Sequence, residues 1–219
     1  MITAFKSSPD RGAGLARDMR VRWALEEVGQ PYNVRLVTFE EMKQPEHMAL
    51  QPFGQIPTYE DDGVVLFESG AIVLYIAERY TGLLPKDLAH RAKALSWVFA
   101  AMSTVEPPIV ERDNVRFFES GKDWQAERFA IVDGRIRVRL DQLVAALGDA
   151  EWIAEDFGAA DILMVHSLRR LEGSGLVEDY PALMEYVGRA VERPAYKRAF
   201  EAQYDVFLSS QRDRADLSK

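Results

Sequence analysis

The sequence contains no cysteine among its 219 residues. This excludes disulfides, thiolate ligands for a metal ion and catalysis by a cysteine nucleophile. Histidine is also scarce, with 3 residues in the chain. Because His47, His90 and His166 do not follow the spacing of a metal-binding motif, the sequence predicts no metal site. Chemistry based on a protein thiol or on a bound metal ion is therefore not expected.

Long apolar runs and an excess of positive charge are absent as well. No stretch approaches the ~20 apolar residues of a membrane-spanning helix, and the N-terminal "MITAFKSSPDRGAG" lacks the apolar core of a signal peptide. The net charge is −8, from 27 basic and 35 acidic residues. This charge disfavours nucleic acid and anionic membranes as main partners, although a local basic pocket for a small anion is compatible with it. We therefore expect a soluble cytoplasmic protein.

The composition is that of a globular protein, with 47% hydrophobic and 28% charged residues, which is enough to bury a core. Its first segments alternate between strand and helix patterns. Residues 2–5 form a short apolar strand, residues 21–28 show helical spacing of apolar side chains, and residues 32–36 alternate as a strand does. A strand–helix–strand order favours parallel pairing of the two strands.

Two short strands, "TYE" and "VVLF", flank the turn signal "DDG", and a helix is predicted from Ser69 to Tyr80. The segment "TGLLPKD" then interrupts the pattern with glycine and proline. Beyond it the apolar stripes have helical spacing, and the run from Ala159 to Leu171 suits a buried central helix. We therefore predict a small α/β domain at residues 1–82 and an all-helical domain at residues 88–219.

The stretch "FGQIPTYEDDGVVLFESGAI" combines two features that suit a ligand with an amino-acid head. Because Pro57 carries no N–H and can follow a cis bond, the backbone groups of Ile56 can face outward and pair with a peptide-like ligand. Ser69 is a natural helix N-cap for binding a carboxylate, and Glu68 beside it would pair with an ammonium. Each feature also has an interpretation without a ligand. Pro57 would then be an ordinary loop proline, and Ser69 would be a plain helix cap beside a solvated Glu68.

The longer pattern "PFGQIPTYEDDGVVLFESGAIVLYIAERY" closely resembles the glutathione-binding core of the cytosolic glutathione S-transferases, of bacterial type. The section from Lys43 through "QPFGQIP" to "FES" is most similar to the phi class of that family. The likeness extends through "MRVRWALEEVGQPY" and reaches "WIAEDFGAADILM" and "ERPAY" in the helical half. The resemblance implies an α/β thioredoxin-like N-terminal domain followed by an all-α C-terminal domain.

The resemblance also implies that the first domain binds glutathione as a co-substrate. Pro57 would be the family's cis-proline, and Ile56 would hydrogen-bond the cysteinyl part of glutathione through its backbone. Glu68 and Ser69 would hold the γ-glutamyl head, which agrees with the chemistry of these residues taken alone.

Two further roles come mostly from the family. Gln55 would touch the backbone of the tripeptide, and Lys43 would face the glycyl carboxylate in a charge-assisted contact. The family also implies a homodimer, a role in detoxification and a hydrophobic electrophile as the second substrate.

The residue that activates the glutathione thiol is less clearly marked. Family members usually carry Ser, Tyr or Cys between the first strand and the first helix. By comparison with them, "PDRGAGLARDMRVR" is expected to be longer between Pro9 and Val21, and no Ser, Tyr or Cys lies at the expected distance before "MRVRW". The first choice is the hydroxyl of Ser8, with Arg17 at the helix start as an electrostatic stabiliser, and Arg11 is the alternative. In the competing interpretation, Ser7 and Ser8 are ordinary turn residues and Arg17 is a solvated charge on the helix.

The helical half is expected to supply a hydrophobic pocket for the co-substrate. Aromatic stripes at helical spacing more often pack in a core, so each residue proposed for this pocket could instead be a core residue. The candidates are Phe99, Met102 and Asn114, with Pro107, Val110 and Phe117 nearby and Tyr204 and Phe207 closing the pocket from the C-terminal region.

Three functions are compatible with these residues. The first is a glutathione transferase, in which the thiolate attacks an electrophilic carbon, with glutathione peroxidase as a further activity. The second is a non-catalytic glutathione-binding interaction module, which the unusual activator region would fit. The third is a glutathione-dependent isomerase or dehalogenase with a narrow substrate. The absence of cysteine argues against thiol transferases, because those form mixed disulfides through a protein thiol.

Overall fold

The structure, a computed structural model, describes residues 1–217, with side chains described to residue 213. The chain divides into two compact units, one formed by Met1–Leu83 together with the segment from Glu192 onwards, the other by Leu84–Val191. In the described part of the chain, none of the helices combines the length and apolar character that crossing a membrane requires.

Helices make up most of the described chain. Shorter helical turns lie at Glu41–Lys43 and Val177–Asp179 (3-10) and at Ala101–Val105 (π). In chain order, the α-helices are α1 (Asp18–Glu27), α2 (Pro45–Met48), α3 (Ser69–Arg79), α4 (Leu88–Ala100), α5 (Glu106–Phe118), α6 (Gln125–Leu147), α7 (Ala159–Arg169), α8 (Pro181–Val191) and α9 (Pro194–Leu217).

The first unit is built on a four-stranded sheet. Its strands lie in the order β2-β1-β3-β4, with β1 and β2 parallel and the other neighbours antiparallel. This topology confirms the predicted α/β thioredoxin-like architecture, in which a strand–helix–strand unit is followed by a hairpin. The strands are β1 (Ile2–Phe5), β2 (Val34–Val37), β3 (Thr58–Asp61) and β4 (Val64–Phe67).

The hairpin between β3 and β4 turns at Asp62 and Gly63. Asp61 pairs with Val64, and the turn residues have φ angles of 46° and 79°. Two successive positive φ angles define a type I′ turn, whose twist matches that of the paired strands. The "DDG" signal therefore predicted the hairpin correctly. The same register sets Thr58 opposite Phe67.

Helix α1 is buried on both its apolar and its polar side, although its apolar stripe predicts burial on one side alone. Arg20 and Arg22 are buried together with Val21, because α3 and α9 both pack against α1. Arg193 contributes to this packing through an ion pair with Glu27 at 2.7 Å. The chain thus returns after more than 160 residues of sequence separation to cover a face that local periodicity leaves exposed.

These contacts group α9 with the first compact unit, whereas the sequence assigned all of residues 88–219 to one helical domain. The side-chain amide of Gln203 on α9 donates to the carbonyl of Ala16, directly before α1, at 3.4 Å. The physical reason is that α9 buries its side chains on α1. The division into independently folding domains stays a prediction.

In the second unit, a π-helical turn at Ala101–Val105 separates α4 from α5. Pro107 and Pro108 begin α5, and neither can donate to the backbone ladder of a helix running in from α4. Proline is tolerated in the first turn, where its missing N–H has no intrahelical partner to lose. The two prolines therefore mark the start of α5.

Helix α7 is the buried central helix that the sequence predicts, and Asp161 holds its first turn. The Asp161 carboxylate accepts hydrogen bonds from the backbone N–H of Ile153 at 3.0 Å, the N–H of Gly158 at 2.9 Å and the Tyr186 hydroxyl at 2.7 Å. Burial raises the pKa of Asp161, and these donors act in the opposite direction.

Asp161→Ala is expected to lower the free energy of unfolding by about 3 kcal/mol, because three buried donors lose their acceptor together. Chemical denaturation followed by circular dichroism measures this change. Asp149→Ala removes an exposed carboxylate from the same unit and is the matched control. Equal stability losses in the two variants would contradict the capping role.

Candidate functional site

Residues predicted to bind a ligand lie along one edge of the sheet. Because Thr58 pairs with Phe67, the residues that precede β3 and follow β4 are neighbours across the strands, which sets Pro57 beside Glu68. Strand β1 runs antiparallel to β3, so its C-terminal end points to the same edge. The segment that follows β1 and opens α1 therefore starts where these residues meet.

The Ile56-Pro57 peptide bond is cis, as expected from the sequence. The side chain of Ile56 is buried in a small cluster with Val37 and Met42. No described residue hydrogen-bonds to the backbone N–H or carbonyl of Ile56. This leaves a short backbone edge that can pair with an extended peptide-like ligand.

A buried histidine supports the loop before the cis bond. His47 on α2 contacts the backbone carbonyl of Gln55 through Nε2 at 2.7 Å, while the Gln55 side chain is exposed. A Cβ atom on Gly54 would lie 3.2 Å from the carbonyl oxygen of Met42, so this loop packs closely on the turn that ends at Lys43. Lys43 is exposed. The sequence analysis considered His47 only as a metal ligand, and no local pattern indicates its contact with the carbonyl of Gln55.

The prediction that Ser69 is the N-cap of α3 is wrong. Glu68 occupies the cap position with φ 67°, and its carbonyl accepts the first helical hydrogen bond, from Ile72 N–H at 3.0 Å. A non-glycine residue in this left-handed region costs about 1–3 kcal/mol, a cost that is typically found at ligand sites. Ser69 is instead the first residue of the helix and is 2% exposed, while the Glu68 side chain is exposed.

A buried arginine stands behind Ser69. Arg20 on α1 is 0% exposed, and its Nη1 donates to Ser69 Oγ at 3.1 Å. Because Oγ accepts this bond, the hydroxyl hydrogen of Ser69 is left to donate elsewhere. The guanidinium also adds positive charge to the N-terminus of α3, where unpaired N–H groups already favour an anion.

The segment between β1 and α1 is organised by Asp10. Its carboxylate accepts from the hydroxyl of Ser8 at 2.5 Å and from the backbone N–H groups of Gly12, Leu15 and Ala16 at 3.1, 2.6 and 3.1 Å. The "PDRGAG" loop is therefore a folded structure with a charged centre.

The three candidates for thiol activation lie in this segment with different environments. Ser8 is half-buried, and its hydroxyl hydrogen points to Asp10. Arg17 is the residue directly before α1 and is half-buried. Arg11 is exposed and has a φ angle of 57°. Their catalytic roles stay predictions.

Below Ser8 lies a small cavity of about 10 Å³ whose wall includes Asp18, Arg22 and Gln203. Arg22 and Asp18 form a buried ion pair at 2.8 Å, but Arg22 Nη2 and Gln203 Oε1 have no hydrogen-bond partner among the residues that the structure describes. Burial raises the pKa of Asp18, and the Arg22 charge opposes that effect.

Tyr204 and Phe207 cover the loop after β1, where the sequence placed them over a pocket of the helical half. A Cβ atom on Gly12 would lie 2.8 Å from Phe207 Cδ1 and 2.9 Å from Tyr204 Cδ2. Gly12 also has a φ angle of 81°, which glycine adopts without strain. Glycine is thus required here on two grounds.

Gly12→Ala is expected to destabilise the first unit by about 2 kcal/mol or more, from backbone strain and a clash with the α9 rings. Gly121→Ala is the matched control, since Gly121 has φ 76° but nothing within 4 Å of its Cβ position. Denaturant unfolding of both variants separates the clash from the strain. Equal losses would show that α9 does not press on this loop.

The predicted pocket residues of the helical half are largely at its surface. Phe99 on α4 is 61% exposed, Met102 in the π turn is half-buried and Asn114 on α5 is exposed. Their role in binding a co-substrate stays a prediction. Among the described residues, no group of His, Cys, Asp or Glu side chains is arranged to hold a metal ion.

A thioredoxin-like fold with a candidate site for a peptide-like ligand at this sheet edge is the class of protein that the structure indicates. Comparison with known proteins identifies the family. The model of the glutathione S-transferase N-terminal domain matches residues 12–78. Glutathione S-transferase F11 of Arabidopsis thaliana is 33% identical over 178 residues, which cover 74% of this chain and 80% of the relative. A GST-like protein of Streptococcus mutans is 32% identical over 72% of this chain, but the match spans 64% of that relative.

A solved structure also indicates the glutathione S-transferase family. A glutathione transferase from Burkholderia graminis, with two glutathione molecules bound per subunit, superposes with a TM-score of 0.79 at 29% identity over 91% of this chain and 86% of that one. The chain belongs to the glutathione S-transferase family, as its sequence motifs indicate.

Proposed function

We propose that this chain is a glutathione transferase that holds glutathione at the sheet edge and joins it, through its sulfur, to a hydrophobic electrophile. The observation that carries the proposal is the unbonded backbone of Ile56 at a cis-proline, set beside Glu68 and the Arg20-backed Ser69. The bound glutathione of the Burkholderia graminis relative supports the choice of ligand.

In this proposal the γ-glutamyl carboxylate accepts from the Ser69 hydroxyl and the N-terminal N–H groups of α3. The ammonium of the same head pairs with the exposed carboxylate of Glu68. Ile56 pairs through its backbone with the cysteinyl residue, next to Pro57.

The rest of the tripeptide would meet the loop before the cis bond. Gln55 contacts its backbone, and the ammonium of Lys43 pairs with the glycyl carboxylate. His47 keeps this loop in place through the carbonyl of Gln55. The thiol would then lie toward the segment that follows β1.

The reaction needs the thiolate, and a free thiol of this kind has a pKa of about 8.5. Lowering that pKa by about two units requires roughly 2.7 kcal/mol of preferential interaction with the thiolate. Ser8, Arg17 and Arg11 are the candidate sources. The sulfur then bonds to the electrophilic carbon, the leaving group departs with its electron pair, and the thiol proton goes to solvent.

Homodimer formation, a cytoplasmic location, a detoxification role and glutathione peroxidase activity are further parts of the proposal. They rest on the family to which the chain belongs. In the helical half, Phe99, Met102 and Asn114 stay candidates for contacts to the co-substrate.

One observation favours a second candidate, a glutathione-binding module without catalysis. The Ser8 hydroxyl donates to Asp10 at 2.5 Å, so it must turn away from a strong acceptor before it can donate to a thiolate. A narrow-substrate isomerase or dehalogenase would use the same bound thiolate.

Calorimetry with glutathione, followed by turnover of 1-chloro-2,4-dinitrobenzene, separates these functions. The proposed transferase binds glutathione and releases chloride from this aromatic halide. Binding without turnover would favour the module or the narrow-substrate enzyme. No binding at millimolar glutathione would contradict all of them.

Ser8→Ala is expected to raise the thiol pKa of bound glutathione by about one unit, because a charge-assisted hydrogen bond to the thiolate is lost. The absorbance of the thiolate, titrated against pH in the complex, measures this pKa. Ser7→Ala is the matched control, since Ser7 lies next to Ser8 and contacts Ser210 at 3.3 Å. An unchanged titration in Ser8→Ala would remove Ser8 from the mechanism.

A further inference from the structure

A second cavity of the first unit, of about 390 Å³, opens beside the Asp10-centred loop. Pockets for small organic ligands begin at roughly 300 Å³, so this one suits a single substituted ring. Its wall combines hydroxyls, aromatic rings and a guanidinium. The lining includes Ser8, Arg11, Phe39 and Phe207.

The charged group of this cavity is Arg11. Its side chain is exposed and forms no ion pair with a residue that the structure describes. The carboxylate of Asp10 next to it is already occupied by three backbone N–H groups and the Ser8 hydroxyl. Arg11 adopts φ 57°, a conformation that costs a non-glycine residue free energy and is held by the loop. A guanidinium of this kind binds a carboxylate with two parallel hydrogen bonds.

Two aromatic rings line the same cavity. Phe39 is 47% exposed, and its ring lies 4.9 Å from that of Phe5. Phe207 is half-buried, with its ring 6.2 Å from Tyr204 and its edge close to Gly12. Exposed aromatic surface of this kind gains by stacking on a flat apolar ligand.

We propose that this cavity is the co-substrate site and that it selects aromatic electrophiles carrying a carboxylate. The ring contacts Phe39 and Phe207, and the carboxylate binds Arg11. This inference rests on the proposed transferase function, because the cavity shares Ser8 with the segment that faces the thiol. It also gives Arg11 a role in recognition instead of thiol activation.

In the reaction with an aryl chloride, the thiolate sulfur bonds to the ring carbon that carries chlorine. The carbon–chlorine bond breaks and chloride leaves with the bonding electron pair. The proton of the thiol has by then passed to solvent, so no oxidant or reductant takes part. The carboxylate bound to Arg11 does not change in this step.

The test compares two substrates of nearly equal shape, 4-chloro-3-nitrobenzoate and its neutral 4-chloro-3-nitrobenzamide. For each, kcat/KM is divided by the uncatalysed rate constant with glutathione, which removes the intrinsic difference in reactivity. The wild type is expected to prefer the acid, and Arg11→Gln to reduce that preference about tenfold, as a charge-assisted hydrogen bond of exposed groups predicts. Phe207→Leu is expected to lower kcat/KM for both substrates.

Lys6→Gln is the matched control, because it removes one positive charge from the same segment at an exposed residue outside the cavity wall. It should keep the wild-type preference. A loss of preference in Lys6→Gln equal to that in Arg11→Gln would point to general electrostatics and overturn the inference. The inference is also overturned if the wild type and Arg11→Gln prefer the acid over the amide to the same extent. This includes the case in which Arg11→Gln slows the reaction of both substrates equally.

A binding measurement without glutathione keeps the inference separate from the proposed function. Calorimetric titration with 4-chloro-3-nitrobenzoate alone should show binding that Arg11→Gln weakens and Lys6→Gln does not. That result supports the site even if neither substrate is turned over, whereas absence of acid binding overturns it. Failure of the proposed function appears differently, as absence of glutathione binding in its own titration.

Discussion

Arg20→Met is expected to weaken glutathione binding about tenfold and to lower the free energy of unfolding by about 3 kcal/mol. The guanidinium is fully buried and donates to Ser69 Oγ at 3.1 Å. Its loss frees Oγ to turn and removes positive charge behind the proposed carboxylate site. Calorimetry on the folded variant gives the affinity, and denaturant unfolding gives the stability.

A double-mutant cycle with Ser69→Ala isolates the Arg20–Ser69 bond. If Arg20 acts through Ser69, the two changes in affinity should not add. Arg170→Met serves as the control, since Arg170 is paired with Asp113 in the other compact unit. It should lose stability while the glutathione affinity stays the same. Additive effects of Arg20→Met and Ser69→Ala would contradict the positioning role.

Glu68→Gln should weaken glutathione binding by about tenfold or more, because a hydrogen bond between ionised groups contributes roughly 1.5–3 kcal/mol. The variant keeps the size of the side chain and removes only its charge. Calorimetry with glutathione and with its des-amino analogue assigns the loss to the ammonium. For the des-amino ligand, wild type and variant should bind alike.

Glu185→Gln removes an exposed carboxylate from α8 in the other unit and should leave both affinities unchanged. If Glu68→Gln weakened the des-amino ligand as much as glutathione, the carboxylate would be acting on something other than the ammonium. The positive φ of Glu68 would then need another explanation.

The parts of the fold that the sequence predicted are those set by local signals. "DDG" requires two positive φ angles and thereby defines the hairpin register, which in turn brings Pro57 beside Glu68. The cis bond before Pro57 was expected from the family resemblance, because proline alone permits a cis bond without requiring it. In the hairpin turn, a residue's own backbone restriction decides the structure.

The parts that were missed depend on contacts between distant residues. Arg20 has the helical position of a surface charge, and its burial follows from helices α3 and α9 that lie far along the chain. Asp10 has the sequence pattern of a turn residue, although its carboxylate accepts from three backbone N–H groups of the loop that follows β1. Nor does periodicity reveal that Phe207 covers Gly12.

The N-cap of α3 shows how a correct chemical interpretation can rest on an incorrect position. Serine is the commoner cap, but Glu68 takes that position here and Ser69 begins the helix. The carboxylate and the hydroxyl stay at the same end of α3. What changes is how the Ser69 hydroxyl is held in place, since it is oriented by its hydrogen bond from Arg20.

The most direct test of the account is a two-dimensional amide NMR titration of the protein with glutathione. If glutathione binds at this sheet edge, the backbone amide signals of Ile56, Ser69 and Gly70 should shift together and saturably, while those of α6 in the other unit stay in place. Shifts confined to other surfaces, or none at millimolar glutathione, would contradict the claim that this sheet edge is a glutathione site.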